Sequence, residues 1–398
     1  MTTINFEDVA AREGEFQLAT YKKMPVAVVS GRGSWVETAS GERFLDLYGG
    51  HAVAATGHCH PRVVEALRAQ AGELLFYSNL VYSEVRARAA EKLVGCAPRA
   101  LSKVFFCNSG TEANENAMRM ARMWTGRERI ITFTGGFHGR TADAISATFL
   151  GKYRELGRPN VPGHLSAEFG SIDSVAALAD ETVAAVMLEP IQSMAGVRQA
   201  QPEFYRSLRE LCDARGMLLI YDEVQTGVGR TGEWFFAGSE AGAGVVPDIS
   251  TLAKALGSGV PVGACLTTNA VAARIKENDL GTTFGGGMLA MAAVTATLEA
   301  IEEDGMLRNT REAERHLRAS LEGIEGVAGV RGAGLLLGIE FAEEIAAKVH
   351  ELLLAERIIT GTSSDRRVLR LLPPLCLKRE EIDLFIAALV KVLPFARP

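Results

Sequence analysis

Two acidic side chains follow an apolar run in the segment LLIYDEVQTGVGRTG, residues 218–232. The run at residues 218–221 is typical of a buried strand in a parallel sheet, so Asp222 and Glu223 come directly after the core. An ionised carboxylate buried without a cation or strong hydrogen-bond donors carries a large desolvation cost. The sequence therefore predicts that a cationic group meets this end of the strand.

A second segment, FFCNSGTEANENAMRMAR at residues 105–122, is typical of a strand, a turn of small residues and a helix. The helix should begin near Gly110 and Thr111, where free backbone N–H groups and the helix dipole favour an anion, and Ser109 adds a hydroxyl donor. The same residues also suit a plain N-cap without a ligand. The segment does not match the Walker A pattern, which argues against a nucleotide site of that type.

The segment TGGFHGRTADAISAT, residues 134–148, offers an aromatic ring, an imidazole and a guanidinium beside paired glycines. Phe137 and His138 suit stacking on a flat ring, and Arg140 suits binding of a carboxylate. The alternative is that Phe137 is a core residue and His138 a structural histidine.

One lysine, Lys254, stands among apolar residues in DISTLAKALGSGVPVGA, residues 248–264. Apolar surroundings disfavour the charged form of an amine, so this side chain can become nucleophilic near neutral pH, as a Schiff-base lysine must be. The alternative is an ordinary helix lysine whose ammonium group reaches water.

A single ligand would use all of these groups. A phosphate would bind at Gly110 and Thr111, a flat ring would stack on Phe137, an aldehyde would react with Lys254, and a protonated ring nitrogen would be the cation that Asp222 requires. Pyridoxal phosphate has these four features, and its protonated ring stabilises carbanions. The pattern therefore indicates a pyridoxal phosphate site.

The elements that must position these residues alternate between helices and short apolar strands from about residue 60 to residue 270. The predicted strands are residues 103–107, 129–133, 184–188, 217–221 and 261–266, and the predicted helices are residues 62–75, 83–94, 112–124 and 203–215. This alternation predicts an α/β fold with a mainly parallel sheet, which binds ligands outside the carboxyl ends of its strands.

After residue 288 the pattern changes to long amphipathic helices at residues 288–303, 309–324, 343–357 and 379–392 around strand-like stretches. We therefore predict three parts: an N-terminal segment, residues 1–48, that packs with the small domain; a large cofactor-binding α/β domain, residues 49–287; and a small C-terminal α+β domain, residues 288–398.

Composition predicts an ordinary soluble globular protein. The 398 residues are 47% hydrophobic, and 42 basic against 48 acidic residues give a net charge of −6 without long runs, which argues against binding to nucleic acid or anionic lipid. The six cysteines are scattered and the N-terminus does not resemble a signal peptide, so we expect a cytoplasmic protein with reduced thiols. No stretch is long and apolar enough to cross a bilayer, and the crowded GHCHP segment does not predict a metal site.

Seven segments occur in an order that resembles the class III, omega-type aminotransferases of pyridoxal phosphate fold type I. They are FFCNSGTEAN, GGFHGRT, LEPIQ, DEVQTGVGRTG, TLAKALGSG, TTFGGG and VLRLLPPL. The resemblance covers nearly the whole chain, and YGGHAVAATGHCHP and SNLVYS resemble the acetylornithine aminotransferases, including relatives that act on carrier-bound intermediates.

The resemblance implies roles for particular residues. Lys254 would hold the cofactor covalently and shuttle protons, Asp222 would pair with the ring nitrogen, and Gln225 would contact the phenolic oxygen. Ser109, Gly110, Thr111, Phe137, His138 and Glu189 would complete the cofactor site, and Thr283 would reach the cofactor phosphate of the other subunit of a homodimer. Arg140 and Arg370 would bind substrate carboxylates, and His51, Tyr77 and Tyr82 would contribute to specificity.

The implied reaction moves the terminal amino group of N2-acetyl-L-ornithine, or of a similar N-acylated diamino acid, to 2-oxoglutarate, as in arginine biosynthesis. One alternative is another omega-aminotransferase, which would act on ornithine, succinylornithine, 4-aminobutyrate or carrier-bound lysine. Others are a pyridoxal phosphate-dependent mutase or lyase, and a non-catalytic protein that binds the cofactor.

The chain departs from the family at Ser193 to Gly196, where Met194 stands in place of a frequent glutamate, and at Gly287 and Met288, where Asn-Pro is usual. The resemblance implies that this glutamate can pair with the arginine matching Arg370. Without it, Arg370 is expected to stay free to bind α-carboxylates.

Overall fold

The computed structural model of the protein describes residues 5–396. The strands are β1 (Val28–Arg32), β2 (Trp35–Thr38), β3 (Arg43–Asp46), β4 (Leu101–Cys107), β5 (Arg129–Phe133), β6 (His164–Ala167), β7 (Val183–Leu188), β8 (Ile191–Gln192), β9 (Arg198–Gln199), β10 (Leu218–Asp222), β11 (Ile249–Leu252), β12 (Gly263–Thr268), β13 (Val327–Ala333), β14 (Leu336–Phe341), β15 (Ile358–Ile359), β16 (Gly361–Thr362) and β17 (Val368–Leu371).

The α-helices are α1 (Phe6–Phe16), α2 (Gly49–Ala52), α3 (Pro61–Glu73), α4 (Glu84–Cys96), α5 (Gly110–Thr125), α6 (Ala142–Ser146), α7 (Tyr153–Leu156), α8 (Ile172–Ala176), α9 (Pro202–Arg215), α10 (Asn269–Ala272), α11 (Met288–Glu303), α12 (Met306–Leu321), α13 (Ala346–Ala355) and α14 (Arg379–Ala396). Short 3-10 helices follow at Phe236–Gly238 and Lys254–Gly257. Every helix in residues 5–396 is too short or too polar to span a bilayer.

The centre of the molecule is a seven-stranded sheet in the order β4-β12-β11-β10-β7-β5-β6. Neighbouring strands are parallel except at β12, which runs antiparallel to both β4 and β11. Strands β7 and β10 are buried along their whole length, as expected for strands covered on both faces. The carboxyl ends of β4, β5, β7, β10 and β11 therefore meet at one edge of the sheet.

Helix α5 connects β4 to the rest of this sheet and packs on β7, β11 and β12. Its inner face consists of small and flexible residues, including Ala113, Ala117, Met118 and Ala121, which allow close approach to the strands. The helix ends at Gly126, whose φ of 70° is the left-handed conformation that favours glycine at a helix C-terminus. Close packing brings the start of α5 to the carboxyl ends of the strands.

Two smaller sheets lie beside the central one. The N-terminal strands form the sheet β1-β2-β3-β15, in which Ile358 and Ile359 pair with β3. The C-terminal sheet β13-β14-β17-β16 is antiparallel, and Gly338 of β14 lies opposite Arg370 of β17. Helices α12 and α13 pack on this second sheet, and α14 packs on both of these helices.

The α/β fold with a mainly parallel sheet is confirmed, and all the predicted strands and helices are present with ends that shift by a few residues. Two strands of the central sheet, β6 and β11, were missed. Strand β11 contains Ser250 and Thr251, whose hydroxyl groups interrupt the apolar pattern although both residues are fully buried. Tertiary hydrogen bonding thus overrides the sequence pattern at this strand.

Candidate active site

A cavity of about 610 Å³ opens at the carboxyl ends of the central strands. It brings together most of the residues that the sequence singled out: His51, Ser109, Gly110, Thr111, Phe137, His138, Arg140, Glu189, Asp222, Gln225, Lys254 and Arg370. Tyr21 and Met194 also line it, and Tyr21 had not been predicted from the sequence. Groups from distant parts of the chain therefore share one space.

Asp222 is 4% exposed and is the last residue of β10. Its Oδ2 accepts a hydrogen bond from Asn114 Nδ2 at 2.8 Å and lies 2.9 Å from His138 Nδ1. Its Oδ1 accepts from the backbone N–H of Val224 at 3.1 Å. Because an ionised carboxylate can only accept, His138 Nδ1 carries the proton of that bond. Protein donors thus stabilise the carboxylate, and the remaining acceptor capacity of Oδ1 is available to a ligand.

Asn114 is a member of this network that sequence reasoning missed. Besides Asp222, its Nδ2 binds His138 O at 2.7 Å, and its Oδ1 accepts from Thr251 Oγ1 at 2.6 Å. Thr251 lies beside Asp222 in the ladder between β10 and β11. The only sequence signal was an amide in the predicted buried face of α5, because the partner threonine lies 137 residues further along the chain. This arrangement fixes the orientation of the carboxylate.

Glu189 follows β7 and lies 8% exposed on the cavity wall. Its Oε1 accepts the backbone N–H of Phe137 at 2.7 Å and so holds the turn that carries Phe137 and His138. Burial and the nearby charge of Asp222 raise the pKa of Glu189 to about 7. The Phe137 ring meets the Tyr153 ring edge-on at 5.4 Å between centroids, which orients it further.

The start of α5 has the features of an anion site. Ser109 is the N-cap, and it binds the amides of Glu112 through Oγ at 3.2 Å and of Ala113 through its carbonyl at 3.1 Å. The amides of Gly110 and Thr111 have no partner within the helix and are left for a ligand. A side chain at Gly110 would meet Val224 at 2.9 Å, so glycine is required for close packing against the loop after Asp222.

Lys254 follows β11 in a backbone conformation with φ of 35°, which is strained for a residue with a side chain. It begins a 3-10 turn and lines the cavity. Burial lowers the pKa of its ammonium group below the ordinary value, although Asp222 and Glu189 oppose that shift. The amine is therefore closer to its neutral, nucleophilic form than a surface lysine.

Polar atoms without a protein partner test whether a cofactor fits this cavity. Within residues 5–396, Gln225 Oε1 and His138 Nε2 are buried and have no hydrogen-bond partner. A ligand with an anionic group, a flat ring, a ring nitrogen and a carbonyl carbon would engage α5, Phe137, Asp222 and Lys254. The residues present fit pyridoxal phosphate.

Arg370 is 5% exposed on β17 and reaches the same cavity. Its Nη1 donates to Ser193 Oγ at 3.1 Å, its Nη2 to Tyr48 OH at 2.6 Å and its Nε to Thr362 O at 2.6 Å. These partners are neutral, and no carboxylate in residues 5–396 forms an ion pair with the guanidinium. Burial lowers its pKa from the ordinary value. Arg370 is thus oriented but keeps its charge for a ligand.

The other candidate substrate residues lie at different depths. Arg140 is exposed at the cavity rim, where its guanidinium stacks 5.0 Å from the Tyr153 ring centroid. His51 is at the rim, with its ring 4.7 Å from that of Tyr48. Thr283 and Tyr82 are exposed and do not line the cavity of their own chain.

Comparison with known proteins agrees with this geometry. The family model for aminotransferase class-III matches residues 17–393. The acetylornithine aminotransferase of Methanopyrus kandleri is 43% identical over 95% of this chain and 97% of its own length. The [LysW]-aminoadipate semialdehyde transaminase of Deinococcus radiodurans is 38% identical over 98% of this chain and 90% of its own. The ornithine aminotransferase structure from Toxoplasma gondii, in which PLP partly occupies the active site, superposes with a TM-score of 0.92 and 28% identity over 99% of this chain and 95% of its own.

The second carboxylate of the opening segment, Glu223, points away from the cavity. It is 1% exposed, and its Oε2 accepts from Phe236 N at 2.7 Å and from Thr226 Oγ1 at 3.3 Å. Its Oε1 has no hydrogen-bond partner within residues 5–396. Burial raises the pKa of Glu223 to about 7. Glu223 therefore joins the two ends of the loop between Asp222 and Phe236. Because its pKa is about 7, the stability that it contributes changes with pH near neutrality.

We predict that Glu223→Gln changes the pH dependence of stability. Because the pKa of the folded state, about 7, lies above the ordinary value of 4.5, the folded protein binds more protons in that window and wild type loses stability as pH rises through it. Glutamine removes this loss, so the melting temperature of the variant minus that of wild type should increase from about pH 5 to about pH 8. Glu312→Gln, at an exposed position of α12, is the control. A difference that stays constant with pH would contradict the assignment.

Proposed function

This chain belongs to the class III aminotransferases, which use pyridoxal phosphate, and on that premise we propose that it transfers the terminal amino group of N2-acetyl-L-ornithine, or a similar N-acylated diamino acid, to 2-oxoglutarate. The products are the semialdehyde and L-glutamate. The observation that carries the proposal is that Lys254, Asp222 and an arginine without an acidic partner, Arg370, line one cavity. The identity to acetylornithine aminotransferases over most of the chain supports this substrate.

The cofactor site is assembled from residues around the carboxyl ends of the strands. The amides of Gly110 and Thr111, with Ser109 at the helix cap, suit the phosphate, and Phe137 suits the ring face. Asp222, supported by His138 and Asn114, would keep the ring nitrogen protonated, and Gln225 would bind the phenolic oxygen. When bound, pyridoxal phosphate supplies an electron sink for negative charge that develops at the substrate carbon.

Lys254 would hold the cofactor through its Nζ and later carry the proton that moves during amino transfer. Its lowered pKa favours the neutral amine, which can both attack a carbonyl carbon and accept a proton. Glu189, whose pKa is about 7, lies near this amine, and its ionised form offsets the positive charge of the ammonium group. The chain thus supplies a base beside the carbon that reacts.

Substrate carboxylates would meet two arginines of different exposure. Arg370 is buried and held by Tyr48 and Ser193, so it would bind the α-carboxylate of glutamate or 2-oxoglutarate in a fixed, bidentate geometry. Arg140 at the exposed rim would bind the carboxylate at the far end of a longer substrate. His51 and Tyr82 would complete the substrate site, Tyr82 from the partner subunit.

A carrier-bound substrate is the second candidate. The relative from Deinococcus radiodurans is named for a [LysW]-linked substrate, and the rim residues Arg140 and His51 are exposed. Comparison of kcat/KM for free N2-acetyl-L-ornithine with that for a carrier-linked amine separates the two candidates. A mutase would form no glutamate, so stoichiometric consumption of 2-oxoglutarate excludes that reaction.

We propose the same three parts that the sequence predicted: residues 1–48 packing on the small domain, residues 49–287 forming the large domain and residues 288–398 the small one. Residues 1–4 and 397–398 of these ranges lie outside the part of the chain that the structure describes. The pairing of β3 with β15 supports this arrangement. The amino-acid substrates are consistent with a cytoplasmic enzyme.

We also propose that the enzyme is a homodimer in which Thr283 contacts the cofactor phosphate of the partner subunit. Exposed apolar side chains support this: Leu75 is 60% exposed, Leu80 91%, and Phe284, next to Thr283, 66%. Large exposed apolar side chains of this kind are common at protein interfaces.

The amino-donor specificity is tested by a panel of donors assayed for glutamate formation. N2-acetyl-L-ornithine should give the highest kcat/KM, above ornithine, succinylornithine and 4-aminobutyrate.

Lys254→Ala should lose turnover while retaining some cofactor through its phosphate contacts, because the lysine supplies both the covalent link and the base. Wild-type turnover in Lys254→Ala would disprove the assignment of this lysine.

Met194→Glu tests whether Arg370 is free to bind α-carboxylates in both half-reactions. An acid at this cavity-lining position can pair with Arg370 and compete with glutamate, whereas Met194 cannot. We expect single-turnover rates with glutamate to fall relative to those with N2-acetyl-L-ornithine, by about 5- to 150-fold for a coupling of about 1–3 kcal/mol. Met194→Gln, which adds a polar group without charge, is the control. An unchanged ratio in Met194→Glu would show that residue 194 only packs.

The dimer is tested by Leu80→Glu with Phe284→Glu, which should convert a dimer to monomers in sedimentation and weaken cofactor binding. Charged side chains in an apolar interface oppose association. Phe395→Glu, at a 73% exposed position of α14, should leave the sedimentation of wild type unchanged. A fully active wild-type monomer would contradict the shared site.

A further inference from the structure

Within residues 5–396, Arg230 is the largest side chain that is almost completely buried, at 1% exposed, and the mechanism above does not use it. It belongs to the GVGRTG part of the loop that follows Asp222. No acidic side chain in residues 5–396 forms an ion pair with it, and burial lowers the pKa of its guanidinium to about 9. A buried cation without a counter-ion is costly, so its contacts require an explanation.

Those contacts are with backbone carbonyl groups of the C-terminal part of the chain. Arg230 Nη1 donates to Leu335 O at 3.1 Å and also to Pro373 O. The backbone adds a third bond, from Leu335 N to Arg230 O at 2.9 Å. Gly334 packs against the same residue, since a Cβ there would lie 2.3 Å from Arg230 O. The loop and the C-terminal sheet are therefore locked together at Arg230.

The two carbonyl groups lie at one end of the strand pair that carries Arg370. Leu335 immediately precedes β14, and Pro373 follows the end of β17 by two residues. The strands are antiparallel, with Leu337 opposite Leu371 and Gly338 opposite Arg370, so the start of β14 and the end of β17 are neighbours. One guanidinium group thus closes the end of this ladder.

The same loop is also held by hydrogen bonds on the cofactor side of the cavity. Its first residues bind Asp222 through Val224 N, and Gln225 lines the cavity. Further along, Val228 N donates to Trp234 O at 2.8 Å, and Glu223 holds the amide of Phe236. These bonds connect the segment that carries Arg230 to Asp222 and to the cavity wall.

We propose that Arg230 is a positioning residue that sets the location of Arg370 in the cavity, and so determines how tightly a substrate carboxylate is bound. The proposal rests on the carboxylate-binding role proposed above for Arg370. Both carbonyl groups are bound by Nη1, and Nε and Nη2 have no hydrogen-bond partner within residues 5–396. The two N–H bonds of Nη1 have a fixed angle in the plane of the guanidinium group, whereas an ammonium group rotates freely.

The test measures binding of glutarate, a dicarboxylate that resembles 2-oxoglutarate but lacks the oxo group, by calorimetry on the enzyme with its cofactor. Arg230→Met should weaken glutarate binding and raise KM for 2-oxoglutarate by about tenfold, because a small misplacement of a binding group is costly. The kcat value should change less than about twofold, and the visible spectrum of the bound cofactor should not change. Arg230→Lys should give an intermediate effect, and it decides the question if Arg230→Met does not fold.

A double-mutant cycle with Arg370→Met shows whether Arg230 acts through Arg370. In the Arg370→Met background, Arg230→Met should cause no further loss of glutarate affinity, whereas independent effects would add. Arg311→Met is the matched control, because Arg311 donates to Gly232 O and pairs with Glu233 in the same loop but forms no hydrogen bond to β14 or β17 within residues 5–396. It should leave glutarate affinity unchanged.

Each result bears on one statement. Unchanged glutarate affinity in Arg370→Met would overturn the proposed role of Arg370. A weakened Arg370→Met together with unchanged affinity in the Arg230 variants, whatever their melting temperature, would overturn the positioning role of Arg230. Additive losses in the cycle, or loss of cofactor and kcat in Arg230→Met, would also overturn it, because the effect would then not pass through Arg370.

Discussion

Much of the cofactor side of the cavity depends on the stabilisation of one buried carboxylate. Asp222 ends the central strand β10, and it is tolerated there because His138 and Asn114 supply protein donors to one oxygen. The histidine comes from the turn after β5 and the asparagine from α5, so three elements must meet for the charge to be satisfied. A carboxylate held in this way is available to keep a pyridine nitrogen protonated, which pyridoxal phosphate chemistry requires.

Burial shifts the pKa values of an acid and a base in the cavity in opposite directions. It raises the pKa of Glu189 to about 7 and lowers the pKa of Lys254. Both shifts favour neutral forms, and both place the groups closer to the pH at which an enzyme works. The negative charge of Glu189 limits the fall in the pKa of Lys254, and the positive charge of Lys254 limits the rise in the pKa of Glu189. Reactivity at this site is therefore a property of the cluster rather than of either residue.

The two sides of the cavity come from different sheets. The cofactor side is built from the parallel central sheet, and the carboxylate side from Arg370 on the antiparallel C-terminal sheet. Arg370 has the neutral partners Tyr48 and Ser193. Because one fold and one cofactor site can serve several substrates, we attribute substrate discrimination to the side chains around Arg370.

The sequence by itself predicted the α/β class. It also predicted residues that line one cavity: Asp222 and Phe137 because each follows a predicted strand, Lys254 because of its apolar surroundings, and Glu189 from the resemblance to the family. It did not reveal β11, Asn114 or Tyr21, because their significance depends on partners far away in the chain. Nor did it determine which groups are buried enough to change their proton affinity. Only the tertiary structure decided those points, since desolvation and long-range hydrogen bonds depend on the space around a side chain and not on its neighbours in sequence.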